Sequence, residues 1–267
     1  GIVATWTATT LGSHYDYHSW DLSHKPALSP EQILYFILAG VLFGVVAWIF
    51  IEGIKFSYRL FSHLKVHPVL KPVIGGLIVS LVILLLDVNG LDGKAFLGLG
   101  TESIGSAVAG KLVALGALAF LAKIFLTSIS LGSGASGGIV TPIFFVGATS
   151  GIMISTLLPL DQALMSRLGT TALLAACANT PVSASVMSLE IFGPETGWVA
   201  ALTCVIAFLV VGHRSVFSSQ ILGLRKTDAL AIAPGVEIGA QGTLRPSYDT
   251  VRKLAVIRHI LRGLFGR

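Results

Sequence analysis

A chain of 267 residues that is 54% hydrophobic and only 12% charged cannot clothe a water-facing surface, because soluble domains carry about 25% charged residues. That composition excludes an ordinary soluble enzyme or binding module and predicts an all-α polytopic membrane protein whose first partner is the lipid bilayer. The formal net charge of +5 would raise nucleic acid as a partner for a soluble chain; here basic residues near the ends of apolar spans set topology, and no nucleic acid is expected.

Residues 1–10 read as the end of an apolar helix already under way, so the chain is expected to begin inside a longer protein. Gly12 to Pro30 is polar and holds His14, His18 and His24 with Asp16 and Asp21. Their spacing matches no standard metal site, and a solvated loop with no metal is the reading. Ser29-Pro30-Glu31 is a helix start with Ser as N-cap, and the helix is expected over Ile33–Phe56. Glu52 and Lys55, near its end, are expected to face an interface and not lipid. Tyr58–Lys71 reads as a basic aqueous loop. The next apolar run, Pro72–Leu86, is short for a straight crossing of a ~30 Å hydrocarbon layer.

Residues 87–106 read as a loop and a short helix, followed by an apolar run over Lys111–Ile129. Lys123 interrupts that run, and a lysine in lipid is costly, so it should meet protein or water, most simply a set of carbonyls. Then comes the stretch that organises the rest. Gly132, Gly134, Gly137 and Gly138 crowd into seven positions, and Pro142 follows. This predicts a re-entrant glycine-rich loop feeding a helix over Pro142–Leu158. A helix N-terminus attracts anions through its free N–H groups and dipole, so the loop is a candidate anion site.

A polar interruption at Pro159–Leu168 precedes a short helix, Gly169–Ala178, broken at Asn179-Thr180-Pro181. Val182–Phe192 is a further short helix with small Ser183, Ser185 and Ser188 suited to close packing. Trp198–Val211 is another apolar segment, and Ser215–Leu224 reads as a last short, half-polar helix. Cys177 and Cys204 sit in apolar runs and read as buried small hydrophobes. From 226 to 267 the chain becomes soluble in character. Arg245, Arg252, Lys253, Arg258, Arg262 and Arg267 stand there against Asp249, and Leu254, Ile257, Leu261 and Leu264 recur at helical spacing. This tail reads as cytoplasmic, either as a basic helix on an anionic leaflet or partner or as a solvated segment.

Several of these helices are too short to span, or are broken by Gly and Pro. Irregular backbone is tolerated at membrane depth only where protein or a water-filled cavity surrounds it, and broken helices aimed at the midplane are how transporters hold ions. No HExxH or GxSxG pattern and no paired intramembrane acids occur, so the chain does not read as an enzyme.

Gly134-Ala135-Ser136-Gly137-Gly138-Ile139-Val140-Thr141-Pro142 closely resembles the second signature of the CLC chloride channels and H+/Cl− exchangers. Lys123-Ile124-Phe125-Leu126-Thr127-Ser128 leading in, Pro181 to Glu190 following, and Gly212 to Phe217 are similar to family segments in the same order. The resemblance covers about residues 1–225 and matches the second of the family's two inverted repeats. It implies a C-terminal half of a CLC-type transmembrane domain with short, tilted, broken helices, passing chloride through a homodimer with one pore per subunit. No cofactor and no CBS domain are implied. The helices at 183–192 and 197–211 would supply the dimer interface.

In the family, backbone N–H groups after the motif glycine hold the central anion; here these belong to Ile139 and Val140, presented by Gly138 and fixed by Pro142. Glu190 matches the family's structural helix-end acid. Two positions depart: Val140 replaces the motif phenylalanine, and Phe217 replaces the pore tyrosine, so it offers no hydroxyl. Fluoride-exporting members also depart at the tyrosine, which keeps fluoride open. The family's Gly-Ser-Gly-Ile-Pro and Gly-Arg-Glu-Gly-Pro loops belong to its first repeat and are not in this sequence. The resemblance therefore implies an N-terminal half as a further partner, and leaves an incomplete half-protein as the alternative.

Overall fold

A computed structural model of the chain describes residues 30–90, 92–111, 119–221 and 235–238. The helices are α1 (Pro30–His63), α2 (Leu70–Val88), α3 (Thr101–Val108), α4 (Ala119–Gly132), α5 (Val140–Leu157), α6 (Gln162–Ala178), α7 (Pro181–Phe192) and α8 (Gly197–Val211). One-turn 3-10 helices at Gly93–Phe96 and Pro194–Thr196 join them. Among the described residues the β structure is one isolated bridge, Ile221 to Glu237. By length and composition, four segments can cross a membrane: Pro30–His63, Leu70–Val88, Val140–Leu157 and Pro194–Val211. α4 and α7 are apolar but shorter. The all-helical, multi-pass architecture expected from composition is the one observed.

The core lies where α1 meets α5, α6 and α8. Phe36, Phe43 and Phe50 of α1, spaced seven apart, bury one stripe against Leu168 and Leu173 of α6, Ile143 and Val146 of α5 and Cys204 of α8. Both cysteines are free and buried. α2 contrasts: Leu77, Leu81, Leu84 and Leu85 are exposed, an outward apolar face suited to lipid.

Small residues set the registers. α1 runs parallel to α8, Gly40 against Ile206 and Gly44 against Val210, and parallel to α4, Gly53 against Ser128 and Ser57 against Gly132. α1 therefore continues six residues, about 9 Å at 1.5 Å per residue, past the level where α4 ends. α5 and α6 are antiparallel and meet backbone to backbone. A Cβ on Gly147 would land on the Gly169 carbonyl, and one on Gly169 on the Gly147 carbonyl. Four residues further, Gly151 meets Met165, and the Ser166 hydroxyl donates to the Ala148 carbonyl at 2.6 Å.

Three sequence expectations are corrected. Tyr58–His63 is the last part of α1 and not a loop, because Phe61 is buried there and Arg59 reaches back to Glu52 at 3.7 Å. The interruption at 159–168 shrinks to Pro159–Asp161, since the Asp161 carboxylate caps α6 by accepting the Leu164 N–H at 2.7 Å. Residues 215–220 are turns and not a helix, because their donors go to the end of α6. The Ser29 cap, the histidines at 14, 18 and 24, and the tail apart from 235–238 lie outside the described residues.

Candidate functional site

The glycine loop begins as the cap of α4. Gly134 takes a left-handed φ of 92°, a conformation that favours glycine. Its N–H donates to the Leu131 carbonyl at 3.0 Å and that of Ala135 to Ser130 at 3.1 Å, the paired bonds of a Schellman cap. From there the chain is irregular and exposed through Gly138. A side chain at Gly138 would meet nothing within 4 Å, so packing does not require glycine there. What the bare loop does is leave its backbone uncovered.

α5 opens at Val140, with Ile139 as N-cap at φ −100° and no side-chain cap. The first turn closes with the Ile143 N–H on the Ile139 carbonyl at 3.1 Å. Pro142 therefore stands third in the helix and not first, still within the first turn, where its missing N–H costs no intrahelical bond. Among the described residues none accepts the N–H of Gly138, Ile139, Val140 or Thr141. Unsatisfied N–H groups at the positive end of a helix are what an anion binds.

The antiparallel register of α5 on α6 carries Ile139 to the level of Cys177, eight residues beyond the Gly147–Gly169 contact on each strand of the pair. α6 ends there at Ala178, and Asn179 follows in the left-handed region at φ 58°, which asparagine tolerates. The turn after α8 docks on this end. The Val216 N–H and the Ser215 hydroxyl donate to the Cys177 carbonyl at 3.0 and 3.1 Å, and the Gln220 amide to Ala178 at 3.1 Å. Phe217, half-exposed, has its N–H on the Ser215 hydroxyl at 3.1 Å. The start of α5 and the turn bearing Phe217 therefore lie toward the same end of the α5–α6 pair. Glu190, exposed near the far end of α7, is not brought there.

Behind the loop, a cavity of about 160 Å³ is lined by Gly137, Gly138 and Pro142 together with Lys123, Thr127 and Gly98. Lys123 is 3% exposed. Its ammonium donates to the Phe96 carbonyl at 2.7 Å and to Gly98 at 3.2 Å, and lies 5.0 Å from the Phe145 ring centre. A buried charge needs such partners, and the lysine in turn holds residues 96–98 against α4. Lys123→Met removes two charge-assisted bonds, each worth roughly 1.5–3 kcal/mol. Amide hydrogen exchange of residues 93–100 should then speed up by at least about a hundredfold, while exchange in α6 stays unchanged.

Sequence reasoning missed Glu52 as a partner of this region. Its Oε1 accepts Arg214 Nε at 3.0 Å, and Lys55 and Arg59 stand 3.6 and 3.7 Å from the same carboxylate. Glu52 and Arg214 are 162 positions apart, and no local pattern couples them.

A family model described as voltage gated chloride channel matches residues 1–212. A chloride/fluoride channel protein of Pseudomonas syringae pv. tomato is 33% identical over 196 residues, covering 73% of this chain and 43% of the relative. A voltage-gated ClC-type chloride channel, ClcB, of Shigella flexneri is 28% identical over 217 residues, 78% of this chain and 50% of its own length. The crystal structure of a CLC-type fluoride/proton antiporter is similar with a TM-score of 0.69 at 25% identity, over 80% of this chain and 52% of that one. A slow cyanobacterial Cl−/H+ antiporter shares the fold at a TM-score of 0.56 and 22% identity, over 79% and 50%. The chain spans about half the length of the curated relatives it matches.

Proposed function

The chain belongs to the voltage-gated chloride channel family, and from that premise we propose that it holds a small anion, chloride foremost, at the start of α5 during passage across a membrane. The observation that carries the reading is the set of open N–H groups at Ile139 and Val140, with no acceptor among the described residues. Backbone donors attract an anion without a full opposing charge. The ion is bound yet free to leave, as conduction requires. Gly137 and Gly138 keep side chains off the approach, Thr141 and Pro142 continue the turn, and Phe217 offers an apolar wall nearby. Lys123 supports the loop from behind, and Glu190 belongs to the scaffold of α7.

Chloride efflux from liposomes carrying the protein, expressed with its complete coding sequence, tests this. Ile139→Glu places a carboxylate against the anion, and like charges a few Å apart in a low-dielectric site repel by several kcal/mol. Efflux should fall roughly a hundredfold; normal efflux would remove the site from Ile139. Fluoride is the second reading. Phe217 supports it by lacking a hydroxyl, and so does the relative described as a chloride/fluoride channel protein. Running both anions with pH recorded inside the vesicles ranks the ions and reports proton coupling. A homodimer is part of the reading: Val182, Val186 and Ile191 of α7 and Trp198, Val205 and Leu209 of α8 present exposed apolar side chains that a second copy would cover.

A further inference from the structure

We propose that Glu52 sets how tightly the anion is held by neutralising Arg214 beside the site, a charge-positioning role that rests on the anion reading above. Three cations, Lys55, Arg59 and Arg214, surround the one carboxylate, so the cluster carries a surplus of two positive charges. Arg214 is the member carried on the turn that bears Phe217. Its carbonyl accepts the Asn179 amide at 3.1 Å, at the C-cap of α6, and two residues later the Val216 N–H is on Cys177. Arg214 stands three residues from Phe217, at most about 10 Å along even an extended chain. That is the order of the Debye length at physiological salt, so the anion feels the guanidinium charge.

Glu52 holds that guanidinium from α1, at 3.0 Å through Nε. The turn itself does not depend on Glu52. Val216, Ser215 and Gln220 already tie it to the α6 carbonyls. What Glu52 adds is charge compensation and a direction for the side chain. Without it, a bare arginine beside the site strengthens anion binding and slows release, because a conducting site must bind weakly enough to let go. Without Arg214, the cluster keeps Lys55 and Arg59 on the carboxylate but loses one positive charge beside the site, and binding weakens.

The opposite signs make the idea testable. In liposomes carrying the protein with its complete coding sequence, transport rate is measured against chloride concentration. Glu52→Gln should lower the apparent KM by about threefold to tenfold and lower the maximal rate. Arg214→Gln should raise KM by a similar factor. The double variant should return to within about twofold of the parent, because the two charge changes cancel and Lys55 and Arg59 keep the surplus of two. A scaffold role gives a different pattern: both single variants shift in one direction and the double is no better. That result, or unchanged KM in both single variants, overturns the inference. If Glu52→Gln yields no folded protein, Lys55→Gln with Arg59→Gln leaves the carboxylate to Arg214 alone. These side chains are 37% and 67% exposed, and their removal should raise KM. An unchanged KM there overturns the inference equally. Failure of the underlying anion reading looks different again: the parent protein carries no chloride, or Ile139→Glu is silent.

Discussion

Gly169→Leu is expected to leave no folded protein, and Gly169→Ala a severely weakened one. The obstacle is backbone. A Cβ at Gly169 meets the Gly147 carbonyl on one side and the Phe43 ring edge at 2.7 Å on the other. A flexible side chain could swing aside, but a carbonyl inside a helix cannot move without moving the helix. Close-packed interiors transmit such strain and do not absorb it. Overpacking by one or a few methylenes costs typically 1–3 kcal/mol, and this contact belongs at the top of that range or above it. The Ser166–Ala148 hydrogen bond on the same crossing would be lost with it. For a chain of this size, about 3 kcal/mol lowers the melting temperature by roughly 6–12 °C. Leucine adds three carbons at the same point and exceeds the spare stability of most domains, about 5–15 kcal/mol. Thermal melts in detergent with size-exclusion profiles read both variants. An alanine protein melting within about a degree of the parent would show that the two helices part easily.

The second large effect belongs to function and should leave the fold alone. Replacing the Val140 amide by an ester, through incorporation of the matching α-hydroxy acid, deletes one N–H and keeps the side chain. No acceptor among the described residues takes that N–H, and the ester only weakens the Ile139 carbonyl as acceptor for the Ile143 N–H, so helix stability should fall by no more than about 1 kcal/mol. A hydrogen bond to a charged group is worth roughly 1.5–3 kcal/mol, so anion affinity should fall by about ten- to a hundredfold in equilibrium binding. A large loss of melting temperature with unchanged affinity would reverse the assignment and make the amide structural. Because the ester changes no side chain, the result cannot be ascribed to altered packing at Val140.

Much of this was legible in the residues, and the parts that were not have physical causes. The starts at Pro30 and Pro181, the break around Asn179 and the apolar span ending at Val211 follow from punctuation by proline, glycine and asparagine. So does the loop before α5, where glycine density marked backbone left bare. Polarity misled in two places. Arg59 and its neighbours read as a solvent-exposed loop, although Glu52 one face back balances them and the helix runs on. Asp161 reads as part of an interruption, although it caps the helix that follows. At 215–220 the half-polar pattern reads as helical, and the structure turns instead because hydroxyl, amide and backbone donors find the α6 end. Gly147 and Gly169 carry no signal singly; only the antiparallel register turns them into a contact. The Glu52–Arg214 pair is tertiary in origin.

The end of α6 has a consequence for any negative ion in its vicinity. Helix C-termini are the negative pole, and the carbonyls of Cys177 and Ala178 lie toward the same end of the α5–α6 pair as the donors of Ile139 and Val140. Left bare, that pole would oppose the attraction exerted by α5. Val216, Ser215 and Gln220 blunt it, spending three donors on two carbonyls. The turn after α8 thus acts as a shield. It would weaken the repulsion of that helix end toward an anion held at the start of α5.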